Sequence, residues 1–348
     1  LSPEQRQDLQ RCADGYINHF LNEAENPDTW WYGVHNFNGV CGGAAGMLCL
    51  AFGPSDPARY GAQRDRCVAV IRRWLGTSFD EQGAYSEGVG YSQYGLANSL
   101  LFARALTREG GPNLFDHPHL RQLARYYTMS LLPGEALMDA RNDSGYGRVD
   151  LECLLLATET GDGLAQWLYE LRGGPQAPWA VLIASPTPAT PPAAAGVPLN
   201  LHFEGRGLAV WRTGWAREDV MFSVEAGPFY PITHNQGDKG HFTLYGFGHR
   251  WAVDPGYGND RGFPLSRCHT LAHNCILIDG KGQAPSGSGL GTDGHILAYR
   301  TEPGYGYALS DCTPAYQANT RGQAGVGARR ALRHTFFVRP RPGIPAYA

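Results

Sequence analysis

The chain has 348 residues, of which 43% are hydrophobic, and a formal net charge of −3. That is enough apolar material for one large domain or two ordinary ones, and the near-neutral balance does not suggest a nucleic-acid binder, which usually carries a basic stripe, while leaving room for a local basic groove for an anionic ligand. No apolar run reads as long enough to span a membrane, and the eight cysteines stand singly, without a CxxC pair for a zinc knuckle or redox centre. Buried free thiols are the default for them, with one or two disulfides left open.

In chain order, residues 1–184 read as helical. "SPEQRQDLQRCADGYINHFLNEA" offers Ser2 as N-cap and Pro3 at the first helical position, and Leu9, Cys12, Tyr16, Phe20 and Leu21 recur at helical spacing. Apolar-periodic runs follow near 39–53, 61–76, 91–109, 117–131, 148–159 and 162–172. Helix pairs of this length suggest a toroid or solenoid of paired helices. Residues 185–198, "SPTPATPPAAAGVP", are a Pro/Ala-rich linker.

From Leu199 to Ala348 the period becomes two. "LHFEGRGLAVWRTGW", "DVMFSVEAG", "HFTLYGFGHRWAVD", "HNCILIDGKGQ" and "YGYALSDCTPAY" are short alternating runs broken by turn residues, the pattern of an antiparallel sandwich. "FTLYGFGHRWAV" reads as a hairpin turning at Gly246–His249. Closing it returns Asp254 to the His241 end, and "AHNCILI" is expected as a strand beside it. The polar loop "THNQGDKGHF", Thr233–Phe242, thereby becomes one wall of a candidate site, with His234, Asp238 and His241 meeting Asp254 and His273. Leu1 is not a start residue, and the chain stops inside β-rich sequence. Both read as a trimmed chain, incomplete at the C-terminus.

The strings "HNFNGVCGGAAGMLCLAF" (35–52), "GAYSEGVGYSQYG" (83–95), "HNQGDKGHFTLYGFGHRWAVDPGY" (234–257) and "AHNCILIDGKGQ" (272–283), in that order, resemble the heparinase II/III-like polysaccharide lyases. The resemblance implies an α+β multidomain fold: an incomplete α/α toroid followed by an antiparallel β-sandwich. It also implies β-elimination on an anionic uronic-acid polysaccharide or oligosaccharide, and a periplasmic or secreted location. Such a reaction removes a C5 proton α to a carboxylate. It needs a group to neutralise that carboxylate, a base at C5 and an acid at O4.

Carried over residue by residue, the resemblance makes Tyr146, in "MDARNDSGYGRVD", the proton-transferring tyrosine, and His234 the sandwich-side histidine. Glu87 stands where related enzymes have a neutralising histidine, and Asn142 is a second neutralising candidate. Trp31, His35, Asn36, Tyr91, Tyr94 and Arg148 are candidate substrate contacts. Family members with structural zinc use a second histidine, a later Asp and a later His. Those positions are Gln236, Asp254 and His273 here, with Asp238 or His241 as substitutes for the weakly ligating glutamine. The trio is alternatively a hydrogen-bond cluster. Two rivals stand beside the lyase: a toroid glycoside hydrolase using Glu87 and Asp143 as its carboxylate pair, and a non-catalytic glycan-binding protein.

Overall fold

The structure is a computed structural model that describes residues 1–173, 178–183, 186–230, 234–257, 267–283, 293–317 and 325–348. The expected boundary at 184–185 lies outside them. The chain forms two compact units that are not contiguous in sequence. One comprises 1–79, 91–121 and 150–189; the other comprises 80–90, 122–149 and 190–348. Segments 80–90 and 122–149, expected with the helical domain, thus group with the sheets, because their hydrogen bonds run to strand residues.

The helical unit holds α1 (Pro3–Glu25), α2 (Phe37–Phe52), α3 (Pro57–Ser78), most of α4 (Val89–Arg108), α6 (Leu151–Thr160) and α7 (Gly163–Leu171). Ser2 caps α1: its Oγ accepts from Gln5 N at 3.2 Å, and Gln5 Oε1 accepts from Ser2 N at 2.8 Å. Asp56 and Asp162 cap α3 and α7 with side-chain oxygens. Phe37–Ser55 is, by length and composition, apolar enough to cross a membrane, contrary to the expectation that no run is. Its glycines give it a different use here. A Cβ on Gly39 would lie 2.5 Å from Gly95 O, and one on Gly43 2.4 Å from Asn98 C, so α2 seats directly on α4. The run expected over 117–131 contracts to α5 (Leu123–Ser130) in the other unit, preceded by 3₁₀ turns.

The second unit carries β1 (Asn200–Phe203), β2 (Leu208–Arg212), β3 (Val220–Glu225), β4 (His241–Gly246) and β5 (His249–Ala252) as one antiparallel meander. A second sheet holds β6 (His295–Glu302), β7 (Tyr305–Asp311) and β8 (Leu332–Val338), also antiparallel, with the short helix α8 (Thr313–Gln317) between β7 and β8. The sheets form a sandwich over Ala209, Trp211, Val220, Phe222, Val224, Ala308 and Phe337. Phe222 stacks on Phe337 at 5.9 Å and Trp211 on Tyr299 at 5.4 Å. The β4–β5 turn falls where expected, with Phe247 at φ 56° and Gly248 at φ 72°.

The run "HNCILI" is not a strand. Only Ile278 and Lys281 form an isolated bridge. Its backbone is claimed by side chains: His241 Nδ1 accepts from Asn274 N at 3.0 Å, and Tyr316 Oη donates to Ile276 O. All eight cysteines are free thiols.

Candidate functional site

β3 is buried along its whole length. Alternation sends Phe222, Val224, Phe242 and Leu244 into the sandwich core. The opposite face carries register pairs Glu225–His241, Ser223–Thr243 and Met221–Tyr245. Buried polar side chains need partners, and these are met by the loop 139–146. Asp139 accepts from Tyr245 Oη at 2.6 Å and Thr243 Oγ1 at 2.8 Å, with Arg141 Nη1 3.3 Å away as counter-charge. Ser144 Oγ accepts from Gly90 N at 2.9 Å, and Ser144 O from Tyr257 N at 2.9 Å.

Asn142 lies at φ 58°, the left-handed region that a non-glycine residue enters only when its surroundings hold it there. Its Oδ1 accepts from Arg206 Nη2 at 2.6 Å, and the same nitrogen donates to Glu225 Oε1 at 2.7 Å within a buried ion pair. With Oδ1 occupied, the Asn142 amide NH₂ remains as a donor. Gly88, at φ 86°, packs against this loop. A Cβ there would stand 3.0 Å from Ser144 Oγ and 3.1 Å from Asn142 Oδ1.

His234 stands between two carboxylates. Its Nδ1 is 2.8 Å from Asp143 Oδ2, and its Nε2 is 3.4 Å from Glu87 Oε2. An ionised carboxylate only accepts, so Nδ1 carries a hydrogen toward Asp143. Asp143 Oδ1 accepts from Gln236 Nε2 at 2.6 Å, and Glu87 Oε1 from Tyr85 Oη at 2.9 Å. Tyr146, three residues beyond Asp143, places its Oη 3.4 Å from Tyr245 Oη, with the Arg250 guanidinium 4.2 Å from its ring centre. Burial pushes the Tyr146 phenol above its ordinary value, and burial with the Asp139 carboxylate pushes Tyr245 much further up. Thus Tyr146, His234, Glu87 and Asn142 all belong to the sheet-bearing unit, arranged around one loop.

Asp254 does return to the His241 end. His241 Nε2 and His273 Nδ1 lie 3.1 and 3.3 Å from Asp254 Oδ2, and the three residues offer ligand-type atoms within 4.8 Å of one another. Burial pushes Asp254 up to about 6 and His241 well down, while His273 is raised by its Asp254 partner against the pull of burial. His241 Nδ1 accepts the Asn274 N–H, so the hydrogen of its neutral ring sits on Nε2, and an N–H cannot ligate a cation. Gln236, the other expected ligand, has its amide nitrogen committed to Asp143, and its buried Oε1 has no hydrogen-bond partner among the described residues. Asp254 and His273 are the firm donors that remain, fewer than the three protein ligands even an open zinc site uses. With His241 in this tautomer, the group falls short of a zinc ligand set although its ligand-type atoms converge.

Five of the expected substrate contacts lie in the helical unit. Trp31 packs edge-on against Phe37 at 5.0 Å and beside Phe20 at 6.5 Å. His35 and Asn36 are buried, and His35 Nδ1 accepts from Phe37 N at 3.1 Å. Tyr91 and Tyr94 lie on α4, rings 6.4 Å apart, with Tyr94 exposed. Arg148, in the sheet-bearing unit, is exposed. Sequence reasoning missed Asp139, Arg206, Glu225 and Tyr245. A signal existed for two of them, since Glu225 and Tyr245 fall on the polar period-two face that Ser223, His241 and Thr243 also share.

Residues 199–338 match the family model "Heparinase II/III-like, C-terminal". They form a heparinase II/III-like domain. Among solved structures, the heparan sulfate lyase HepC from Pedobacter heparinus superposes with a TM-score of 0.59 at 15% identity, covering 96% of this chain and 47% of that one. A heparinase III structure gives 0.58 at 15% identity, covering 95% and 48%. Another heparinase III gene product gives 0.56 at 17%, covering 87% and 42%. At such identities the likeness is one of fold, and the chain spans about half the length of the structures it matches. None of the curated proteins compared with the chain gives a significant match.

Proposed function

We propose that the chain is a polysaccharide lyase that cleaves a uronic-acid-containing polymer by β-elimination. The observation that carries this reading is the loop 139–146. It presents Tyr146, leaves the Asn142 amide NH₂ without a hydrogen-bond acceptor among the described residues, and through Asp143 fixes His234. That is a proton-transfer pair beside a neutral donor for a carboxylate, the set that abstraction of a C5 proton requires. Asn142 neutralises the uronate, and Glu87, on Nε2 of His234, orients the ring. His234 and Tyr146 move the protons. A secreted or periplasmic location and an anionic, glycosaminoglycan-type substrate accompany this reading. The hydrolase alternative finds less support. Glu87 and Asp143 both point at one imidazole, whereas a hydrolase pair must flank a glycosidic bond. The Asp254 cluster serves as a hydrogen-bonded support for β4 and for the backbone at Asn274.

The test is a panel of heparin-type, chondroitin-type, alginate and other uronate polymers, followed by ultraviolet absorbance of the C4=C5 product. Products without that absorbance would establish a hydrolase, and intact polymer with measurable binding would establish a binding protein.

A further inference from the structure

We propose that Asp139 and Tyr245 are positioning residues for Tyr146: a buried relay that turns the Tyr146 hydrogen inward and presents its oxygen lone pairs to the substrate. The inference rests on the reading that Tyr146 takes the C5 proton. Tyr245 has one hydrogen, and the 2.6 Å contact with Asp139 Oδ1 consumes it, because an ionised carboxylate only accepts. Toward Tyr146, 3.4 Å away, Tyr245 can therefore only accept. The direction of the chain is fixed: Tyr146 O–H to Tyr245, Tyr245 O–H to Asp139. Asp139 is itself held from the other side by Thr243 Oγ1 at 2.8 Å and by the Arg141 guanidinium. Thr243 in turn shares a hydrogen with Ser223 Oγ at 2.6 Å, so the carboxylate sits in a rigid strand-borne cradle.

The arrangement answers a difficulty in the chemistry. Burial makes a free phenolate at Tyr146 scarce. With the relay, no phenolate need form beforehand. As the C5–H bond breaks, the proton bonds to Tyr146 Oη, the Tyr146 hydrogen passes to Tyr245, and that of Tyr245 passes to Asp139. The C5–H electron pair becomes the C4=C5 bond and expels O4, which takes its proton from His234. One proton enters the protein and one leaves it, and exchange with water afterwards restores both groups. The 3.4 Å step is long at rest, as hydrogen bonds of this kind often are before substrate closes the site.

Tyr245→Phe keeps the ring and removes the acceptor; Asp139→Asn keeps the shape and removes the charge. Both are assayed on whichever panel polymer gives unsaturated product with the wild type, alongside thermal melting. We expect kcat to fall on the order of 10–10²-fold in each, with KM within about twofold, since neither residue touches substrate. The solvent deuterium isotope effect on kcat should shrink toward unity in Tyr245→Phe, a change that loose packing alone would not produce. If Tyr245→Phe melts early, Asp139→Asn decides on the same readouts. A variant that folds and keeps wild-type kcat and isotope effect overturns the relay alone. A wild type that forms no unsaturated product from any polymer overturns the lyase reading and the relay together.

Discussion

Along the loop 139–146, the acceptors of Asp139, Asn142 and Asp143 each meet a donor at 2.6–2.8 Å. A few residues along the same strand face, two imidazoles crowd one oxygen of Asp254 at 3.1 and 3.3 Å, and none of the three facing atoms is aligned for a hydrogen bond. Both groups are buried in the same unit. The first has its donors and acceptors matched, so it is rigid, and it can hold a left-handed Asn142 and a clamped His234 in place. In the second the titrating groups move apart, His241 down by burial and Asp254 and His273 up. The loop is therefore where turnover should be lost on mutation, and the cluster is where stability should answer to pH.

The largest expected effects fall on the loop. Tyr146→Phe should lower kcat by about 10²–10⁴-fold with little change in melting temperature, and His234→Ala should cost a comparable amount, both measured as the rate of unsaturated product. Near-normal turnover in Tyr146→Phe would remove that residue from proton transfer and leave the loop a structural feature like the cluster. Next in size is Arg206→Met, which strands Glu225 without its partner. Breaking a buried pair typically costs about 3–5 kcal/mol, and chemical denaturation reads it directly. A loss under about 1 kcal/mol would show that the network does not hold Asn142.

The cluster should give a smaller, pH-dependent effect. Burial depresses His241 in the folded state well below its unfolded value near 6.5. Below that pH the unfolded chain takes up a proton that folded His241 refuses, so the contribution of this one group falls as the solution is acidified, against the opposite contributions of the raised Asp254 and His273. The slope from this one group is about 1.4 kcal/mol per pH unit, and His241→Gln should lack it. Equal acid slopes in the two proteins would mean that His241 is already protonated in the fold. The smallest effect expected is that of zinc. Protein purified without chelator should carry no stoichiometric zinc, and added zinc should leave the melting temperature within about 1 °C, because a site that binds only weakly adds little by mass action. Stoichiometric metal, or a large upward shift, would move His241 and Gln236 into a ligand set and erase the contrast drawn above.

Much of the architecture is local and was legible in the chain itself. The period of 3.6 gives way to two near Leu199, the Ser2 capping box starts α1, and the turn at Gly246–His249 closes β4 onto β5. The hairpin also returns Asp254 to the His241 end, although an irregularity at Leu244–Tyr245 shifts the register on the way. Tyr146, His234, Glu87 and Asn142 came from motif strings, and their roles remain as proposed. Tertiary structure decided the rest, because the rest depends on who claims each polar group. "HNCILI" has strand alternation but gives its backbone to His241 and Tyr316, so it forms no ladder. Segments 80–90 and 122–149 read as helical connections but pack with the sheets, because Asp139 satisfies buried side chains of β4 about a hundred residues away and Asn142 a buried arginine in the β1–β2 turn about sixty residues away. Tyr245, Arg206 and Asp139 enter the site by the same route. A sequence displays the spacing that makes a strand or a helix, and burial then requires partners whose identity only the packed fold supplies.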